Sequence, residues 1–190
     1  TARYRPDLQL LDPSGKEIKR IGGERVARLA SIEQTQDPGR FVDDVARFNV
    51  APGSYQAILV VSDGKRSGRL SFQLEVPEYR PGKLGLSDVL LVRSIDEAVS
   101  EPDRFTKAGH ILLPLTTRRV EVADALYWYV ELYEIGQMAH RVRFEILDRF
   151  DHAVLTEIRN FGAYRDGARL IEGLSLRNIP AGPYSLQVTA

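Results

Sequence analysis

Four residues at alternate positions, Tyr127, Tyr129, Glu131 and Tyr133, form the first group in this chain whose types and spacing suggest recognition chemistry. In an extended strand they share one face, while Leu126, Trp128, Val130 and Leu132 take the other. The Trp face is the natural core. Tyrosines carry an apolar ring with a polar tip, which suits a sugar ring or an extended peptide. The competing account is that they are good strand formers packed by their neighbours. A second group, Asp148, Asp151 and His152, falls within one turn. Clustered carboxylates can hold Ca²⁺ through oxygen, so Asp148 and Asp151 are a calcium candidate. The EF-hand spacing is missing, however, and Asp serves turns through its own backbone hydrogen bonds.

Other residue types weigh against catalysis. Ser87 and Asp88 are adjacent, so in a strand they point to opposite faces and cannot form a dyad. No G-x-S-x-G surrounds Ser87. His110, His140 and His152 share no metal-ligand spacing, and Gly22-Gly23 belongs to no phosphate loop. An enzyme built from these histidines and nearby carboxylates is the least favoured reading. No catalytic residue, metal or cofactor is assigned.

The elements that must position these groups are strands. The 190 residues are 43% hydrophobic, enough for a core. Basic and acidic residues balance at 26 each, which argues against nucleic-acid binding and against anionic membrane surfaces. There is no cysteine, hence no disulfide and no thiolate chemistry. No apolar stretch is long enough to insert directly into a membrane as a helix. The chain opens at Thr1 and stops at Ala190 in strand-like sequence, which suggests a piece of a longer polypeptide.

Period-two alternation dominates. It is strongest over 55–62, 70–76, 126–132 and 142–146, with further strands expected at 8–11, 25–32, 84–92, 154–158, 168–174 and 184–188. Residues 111–115 read as an edge strand because Pro114 interrupts them. The polar run 94–104 suggests a short helical turn, and 41–48 is ambiguous. Asp12-Pro13-Ser14-Gly15 reads as a β-turn, Asp37-Pro38-Gly39 as punctuation and 63–68 as a hairpin loop. Pro77-Glu78-Tyr79-Arg80-Pro81-Gly82 stops any ladder. The expected domains are 1–77 and 84–190, joined by a linker at 78–83.

One pattern occurs twice. Val50-Ala51-Pro52-Gly53-Ser54-Tyr55 leads into a strand, and so does Ile179-Pro180-Ala181-Gly182-Pro183-Tyr184. Upstream, Leu8-Gln9-Leu10-Leu11-Asp12 is echoed by Phe144-Glu145-Ile146-Leu147-Asp148. Two related β-domains in tandem are implied. The first is either an incomplete sandwich, lacking strands like those at 84–135, or simply a smaller one. The second stops before an equivalent of Leu70–Val76.

The layout Pro52-Gly53-Ser54-Tyr55, Val76-Pro77 and Leu84-Gly85-Leu86-Ser87-Asp88-Val89, followed by Tyr129-Val130-Glu131-Leu132-Tyr133, resembles the tandem β-sandwich regions of bacterial extracytoplasmic proteins carrying a GWxTD motif. It is also similar to segments of related proteins with a von Willebrand A-type domain. The GWxTD motif itself and the metal-binding D-x-S-x-S are absent. The resemblance implies a fold and a location outside the cytoplasm, periplasmic or secreted.

The expectation is therefore an all-β protein of two tandem immunoglobulin-like antiparallel sandwiches. Its expected role is non-catalytic, as a structural or protein-interaction module of a larger extracytoplasmic bacterial protein. Its partners would be other proteins or neighbouring domains of the same polypeptide. The alternative is a carbohydrate-binding module using Tyr127, Tyr129 and Tyr133 against a glycan.

Overall fold

The computed structural model describes residues 1–28, 30–31, 42–80, 82–97, 104–120, 125–133, 139–162 and 168–190. Asp37-Pro38-Gly39 lies outside them. The chain is all-β, built of several antiparallel sheets, with no helix among the described residues. It divides into two compact units, Thr1–Glu78 and Tyr79–Ala190.

Unit 1 holds β1 (Ala2–Leu11), β2 (Glu17–Gly22), β3 (Arg25–Ala27), β4 (Gly53–Ser62) and β5 (Ser67–Val76). They form one sheet in the order β2-β1-β4-β5, with β3 opposite the first residues of β1. Leu8 pairs with Leu59, Leu10 with Ala57, and Tyr55 with Leu74. The alternation therefore collects Leu8, Leu10, Tyr55, Ala57, Leu70, Phe72 and Leu74 on one face. Phe48 and Val50 from the irregular segment before β4 cover one end of that face, and there Leu10 and Ala57 are buried.

Unit 2 holds β6 (Gly85–Leu86), β7 (Leu90–Glu97), β8 (Thr106–Lys107), β9 (His110–Pro114), β10 (Ala125–Tyr133), β11 (His140–Leu147), β12 (Ala153–Phe161), β13 (Ala168–Ser175) and β14 (Ser185–Thr189). A six-stranded sheet runs β13-β10-β7-β9-β8, with β6 also on β10; a three-stranded sheet runs β12-β11-β14. The two share one core. Trp128, Val130 and Leu132 of β10 meet Val142, Phe144 and Ile146 of β11, and the Trp128 and Phe144 rings sit 4.9 Å apart. Burying a side chain of this size stabilises by about 1.5–3 kcal/mol. On one flank the sheets are clasped by Arg159 of β12, which bonds Glu172 of β13 and Glu157 at 2.8 Å.

Several expectations change. Among the described residues of 25–32, Arg25–Ala27 are strand and Arg28, Ala30 and Ser31 are not. Ser94–Glu97, expected in a helical turn, are extended in β7; residues 98–103 lie outside the described ones. β9 is not an edge. β8 pairs with it over His110–Ile111, while Pro114 occupies its last position, opposite Val92 and clear of β8. Pro114 thus costs no ladder bond on that side. Residues 42–50 form no regular element.

The repeated pattern is a repeated structure. Leu10 pairs with Lys19 and Leu11 with Glu17; Ile146 pairs with Leu155 and Leu147 with Ala153, and both hairpins slip register at the same step. Leu8–Leu59 and Leu10–Ala57 correspond to Phe144–Val188 and Ile146–Leu186. The three strands β2-β1-β4 and β12-β11-β14 are thus two copies in one register.

Candidate functional site

Tyr129 and Glu131 project from the face of β10 that points away from the shared core. β10 is central, paired with β13 on one side and with β6 and β7 on the other. Its second face is covered unevenly, closed over Tyr129 and open at Tyr127. Tyr129 is 1% exposed and packs with Val92 and Leu112. The expected platform of three open rings does not exist: Tyr129 is core, Tyr133 is half-buried and only Tyr127 is exposed. The Tyr127 ring lies over Gly173, where a Cβ would come within 2.9 Å of it. A glycan platform loses its central ring on this geometry.

Glu131 closes the group on itself. It accepts hydrogen bonds from the hydroxyls of both Tyr129 and Tyr133. Lys107 reaches it at 3.2 Å and stands 4.5 Å from the centre of the Tyr129 ring. The β8–β9 turn places that lysine. Lys107 pairs with His110, leaving two turn residues, Ala108 and Gly109, with φ of 54° and 82°. A two-residue turn with both φ positive matches strand twist. Holding Ala108 there costs about 1–2 kcal/mol.

Ser87 ties the backbone in. Its N–H donates to the Glu131 carbonyl and its Oγ accepts from the Glu131 N–H, each at 2.9 Å. Tyr79 lies against the Tyr133 ring at 4.1 Å and donates to the Leu86 carbonyl at 3.3 Å. Gly85 permits this, since a Cβ there would fall 2.6 Å from the Tyr79 ring.

The electrostatics are those of a satisfied cluster. Burial pushes the Glu131 carboxyl up, but the bonds from Tyr129, Tyr133 and Lys107 outweigh it and hold the group below its ordinary value. Burial, then the bond to Glu131, raises both tyrosine hydroxyls far above their usual range. The carboxylate therefore stays ionised and both phenols keep their protons across neutral pH. The arrangement is suited to holding strands together, and it presents no free general base.

The turn carboxylates behave in the same way. Asp148 Oδ1 accepts from the backbone N–H groups of Phe150 at 2.8 Å and His152 at 3.0 Å. Asp12 does the same for Ser14 at 2.9 Å and Lys16 at 3.0 Å. Asp148 is held below its ordinary value by the His152 and Phe150 backbone bonds. Asp12 is held down first by the Ser14 hydroxyl, then by the Lys16 backbone. Asp151 sits at positive φ, 61°, the place Gly15 takes in the first copy. Asp148 thus spends an oxygen on its own turn, and no group of three His, Asp or Glu suited to a metal occurs among the described residues.

His152 Nδ1 lies 3.7 Å from Asp148 in that exposed turn. His110 belongs to β9 and His140 opens β11. Ser87 is engaged with Glu131, as described.

Sequence reasoning missed Lys107, Ser87 and Tyr79 as members of the Tyr–Glu cluster. A signal for its burial was present. Val89-Leu90-Leu91-Val92 and Ile111-Leu112-Leu113 are unbroken apolar runs, the mark of strands covered on both faces.

Fold and cluster together define an all-β protein with a duplicated three-strand motif and a polar cluster that joins strands. No family model matches the chain, and no curated protein is significantly similar to it.

Proposed function

We propose that the chain is a non-catalytic β-sandwich module, immunoglobulin-like in the broad sense, serving protein interaction and spacing within a larger extracytoplasmic bacterial protein. The observation that carries this reading is the contrast between spent polar groups and unspent sheet surface. The Tyr–Glu131 cluster and both Asp turns are satisfied internally. Meanwhile Leu70, Phe72 and Val61 stand on one face of the β4–β5 pair with exposures of 57%, 43% and 36%. Contiguous exposed apolar side chains mark interaction surfaces. Strand edges offer a second mode, main-chain pairing with another chain. The balanced charge suits protein partners better than nucleic acid. The extracytoplasmic placement rests on the resemblance to tandem sandwich regions described above.

Hydrogen exchange on the isolated chain tests the reading. Amides of the edge strands β5 and β14 should exchange much faster than those of the central strands β10 and β11. Uniform protection would leave no available edge and would sink the strand-pairing mode.

A further inference from the structure

Tyr79 lies against the Tyr–Glu131 cluster without bonding its carboxylate: its hydroxyl donates to the Leu86 carbonyl at 3.3 Å. What it touches is the Tyr133 ring. The two centroids are 4.1 Å apart, with the planes tilted by 36°. Aromatic pairs in proteins ordinarily stand about 4.5–7 Å apart, so these two rings are in direct contact.

Strand register brings them together. Gly85 of β6 pairs with Tyr133 of β10. The Tyr79 ring lies over Gly85, in space that a Cβ would enter at 2.6 Å. Cross-strand neighbours stand about 4.5–5.5 Å apart, so a ring set over Gly85 falls beside the ring of Tyr133. Both phenols are held at their hydroxyls, Tyr133 by Glu131 and Tyr79 by Leu86. Both residues are half-buried, not sealed as Tyr129 is.

The contact has a chemistry open to it. The chain has no cysteine, and Trp128 is enclosed in the core at 0% exposure. A one-electron oxidant in solution therefore finds tyrosine as its main target. Taking an electron from Tyr133 makes its hydroxyl strongly acidic. The proton then passes to Glu131 along the bond the two already make. Glu131 needs no free base character for this, because the path exists before the oxidation.

We propose that Tyr79 and Tyr133 are a site of oxidative cross-linking, joined ring to ring as dityrosine by hydrogen peroxide acting through a haem peroxidase. Each phenol gives up one electron and its hydroxyl proton. The two phenoxyl radicals couple through carbons ortho to their oxygens, and the new C–C bond forms. The hydrogen on each coupled carbon then moves to its oxygen, which restores both aromatic rings. In sum two electrons and two protons leave the pair, and with the two protons already on the oxygens of one peroxide they make two waters. The bond closes the chain between residues 79 and 133 and ties the segment that opens unit 2 to its central strand. A cross-link of this kind stabilises chiefly by constraining the unfolded chain, as a disulfide would in a chain that had cysteine.

The test exposes the full chain to a haem peroxidase and hydrogen peroxide, and reads the product by dityrosine fluorescence, intact mass and peptide mapping. The expected product is a monomer two hydrogens lighter, whose digest joins the peptides carrying Tyr79 and Tyr133. Tyr79→Phe should reduce it by about tenfold or more, because groups held in contact react as if highly concentrated. Gly85→Ala should also lower the yield, since its methyl displaces the Tyr79 ring while both phenols and the bonds to Glu131 remain. Tyr184→Phe should leave the yield unchanged. Trp128 fluorescence reports that each variant is folded. The cross-linked chain should need more urea to unfold unit 2, with unit 1 unaffected.

Cross-links that join separate chains, or that map to Tyr127 or Tyr184, would overturn the proposal. So would an undiminished yield in folded Tyr79→Phe or Gly85→Ala, since the contact would then not direct the coupling. A cross-linked chain no more resistant to urea than the untreated one would show that the bond fastens nothing.

Discussion

The two copies, β2-β1-β4 and β12-β11-β14, share strand register, hairpin slip and Asp turn. They differ in what surrounds them. The first copy gains a fourth strand at its edge and lies under a loop carrying Phe48 and Val50. The second gains a whole opposing sheet, and among the described residues its β14 pairs with β11 alone. The same local instructions therefore produce the same three strands under two different covers. Turn chemistry and alternation suffice for the motif, and long-range packing decides how deeply each position is buried.

Equivalent positions should then differ in energetic cost where their covers differ. Phe144 is fully buried beneath Trp128, whereas its counterpart Leu8 is half-buried. Phe144→Ala should destabilise unit 2 by about 3–5 kcal/mol. Leu8→Ala should cost clearly less. Leu10 and Ile146 sharpen the comparison, since both are buried, at 0% and 3% exposure. Their replacements by Ala should cost similar amounts, about 2–5 kcal/mol each. Urea unfolding read by Trp128 for unit 2 and by amide exchange for unit 1 measures all four. Equal losses at Leu8 and Phe144 would break the claim that cover, not motif, sets burial.

The same distinction explains what could be read from residues alone. β4, β5, β10 and β11 were legible because alternation and turn residues are local signals. β2 was not: Glu17–Gly22 has only Ile18 and Ile21 among polar neighbours, as suits the outer strand of a sheet. β8 is two residues long and exists only because β9 folds back on it. At the candidate site, the shared face of Tyr127, Tyr129, Glu131 and Tyr133 followed from period two. That Tyr129 would be sealed by Val92 and Leu112, and that Lys107 would reach Glu131, depends on strand order. No short window of sequence encodes that order.

Acid should separate the two units next, because only unit 2 contains the Tyr–Glu131 cluster. Glu131 is held below its ordinary value of 4.5 in the folded chain, so its contribution is complete above that pH. It is lost as pH falls through the lowered value. Glu131→Gln should destabilise unit 2 at pH 7 by about 1–3 kcal/mol, the cost of disturbing a half-buried acceptor shared by two hydroxyls. The gap between wild type and variant should narrow below about pH 4.5. Unit 1 should show no difference at any pH. Parallel curves for the two proteins down to pH 2 would mean that the carboxylate carries none of the acid sensitivity.

Backbone strain gives a smaller contrast. Gly15 and Asp151 hold the same turn position at φ of 85° and 61°. Only the second copy places a side chain there. Gly15→Ala should cost about 1–2 kcal/mol, whereas Asp151→Gly should be neutral or slightly stabilising. A loss of stability in Asp151→Gly would show that its side chain does something in the turn beyond tolerating the conformation.

The smallest effect falls on the corner that first marked the duplication. The Tyr55 hydroxyl donates to the Ala51 carbonyl at 2.8 Å, and the Tyr184 hydroxyl donates to the Pro180 carbonyl at 2.9 Å. The geometry is the same, but Tyr55 is 9% exposed, with Leu74 of β5 opposite it, while Tyr184 is 36% exposed. A hydrogen bond sheltered from water loses more when its donor is removed, because the carbonyl left behind is not rehydrated. Tyr55→Phe should therefore cost about 1 kcal/mol, and Tyr184→Phe measurably less, by thermal unfolding of each unit. Equal losses at the two tyrosines would show that exposure does not set what this bond is worth.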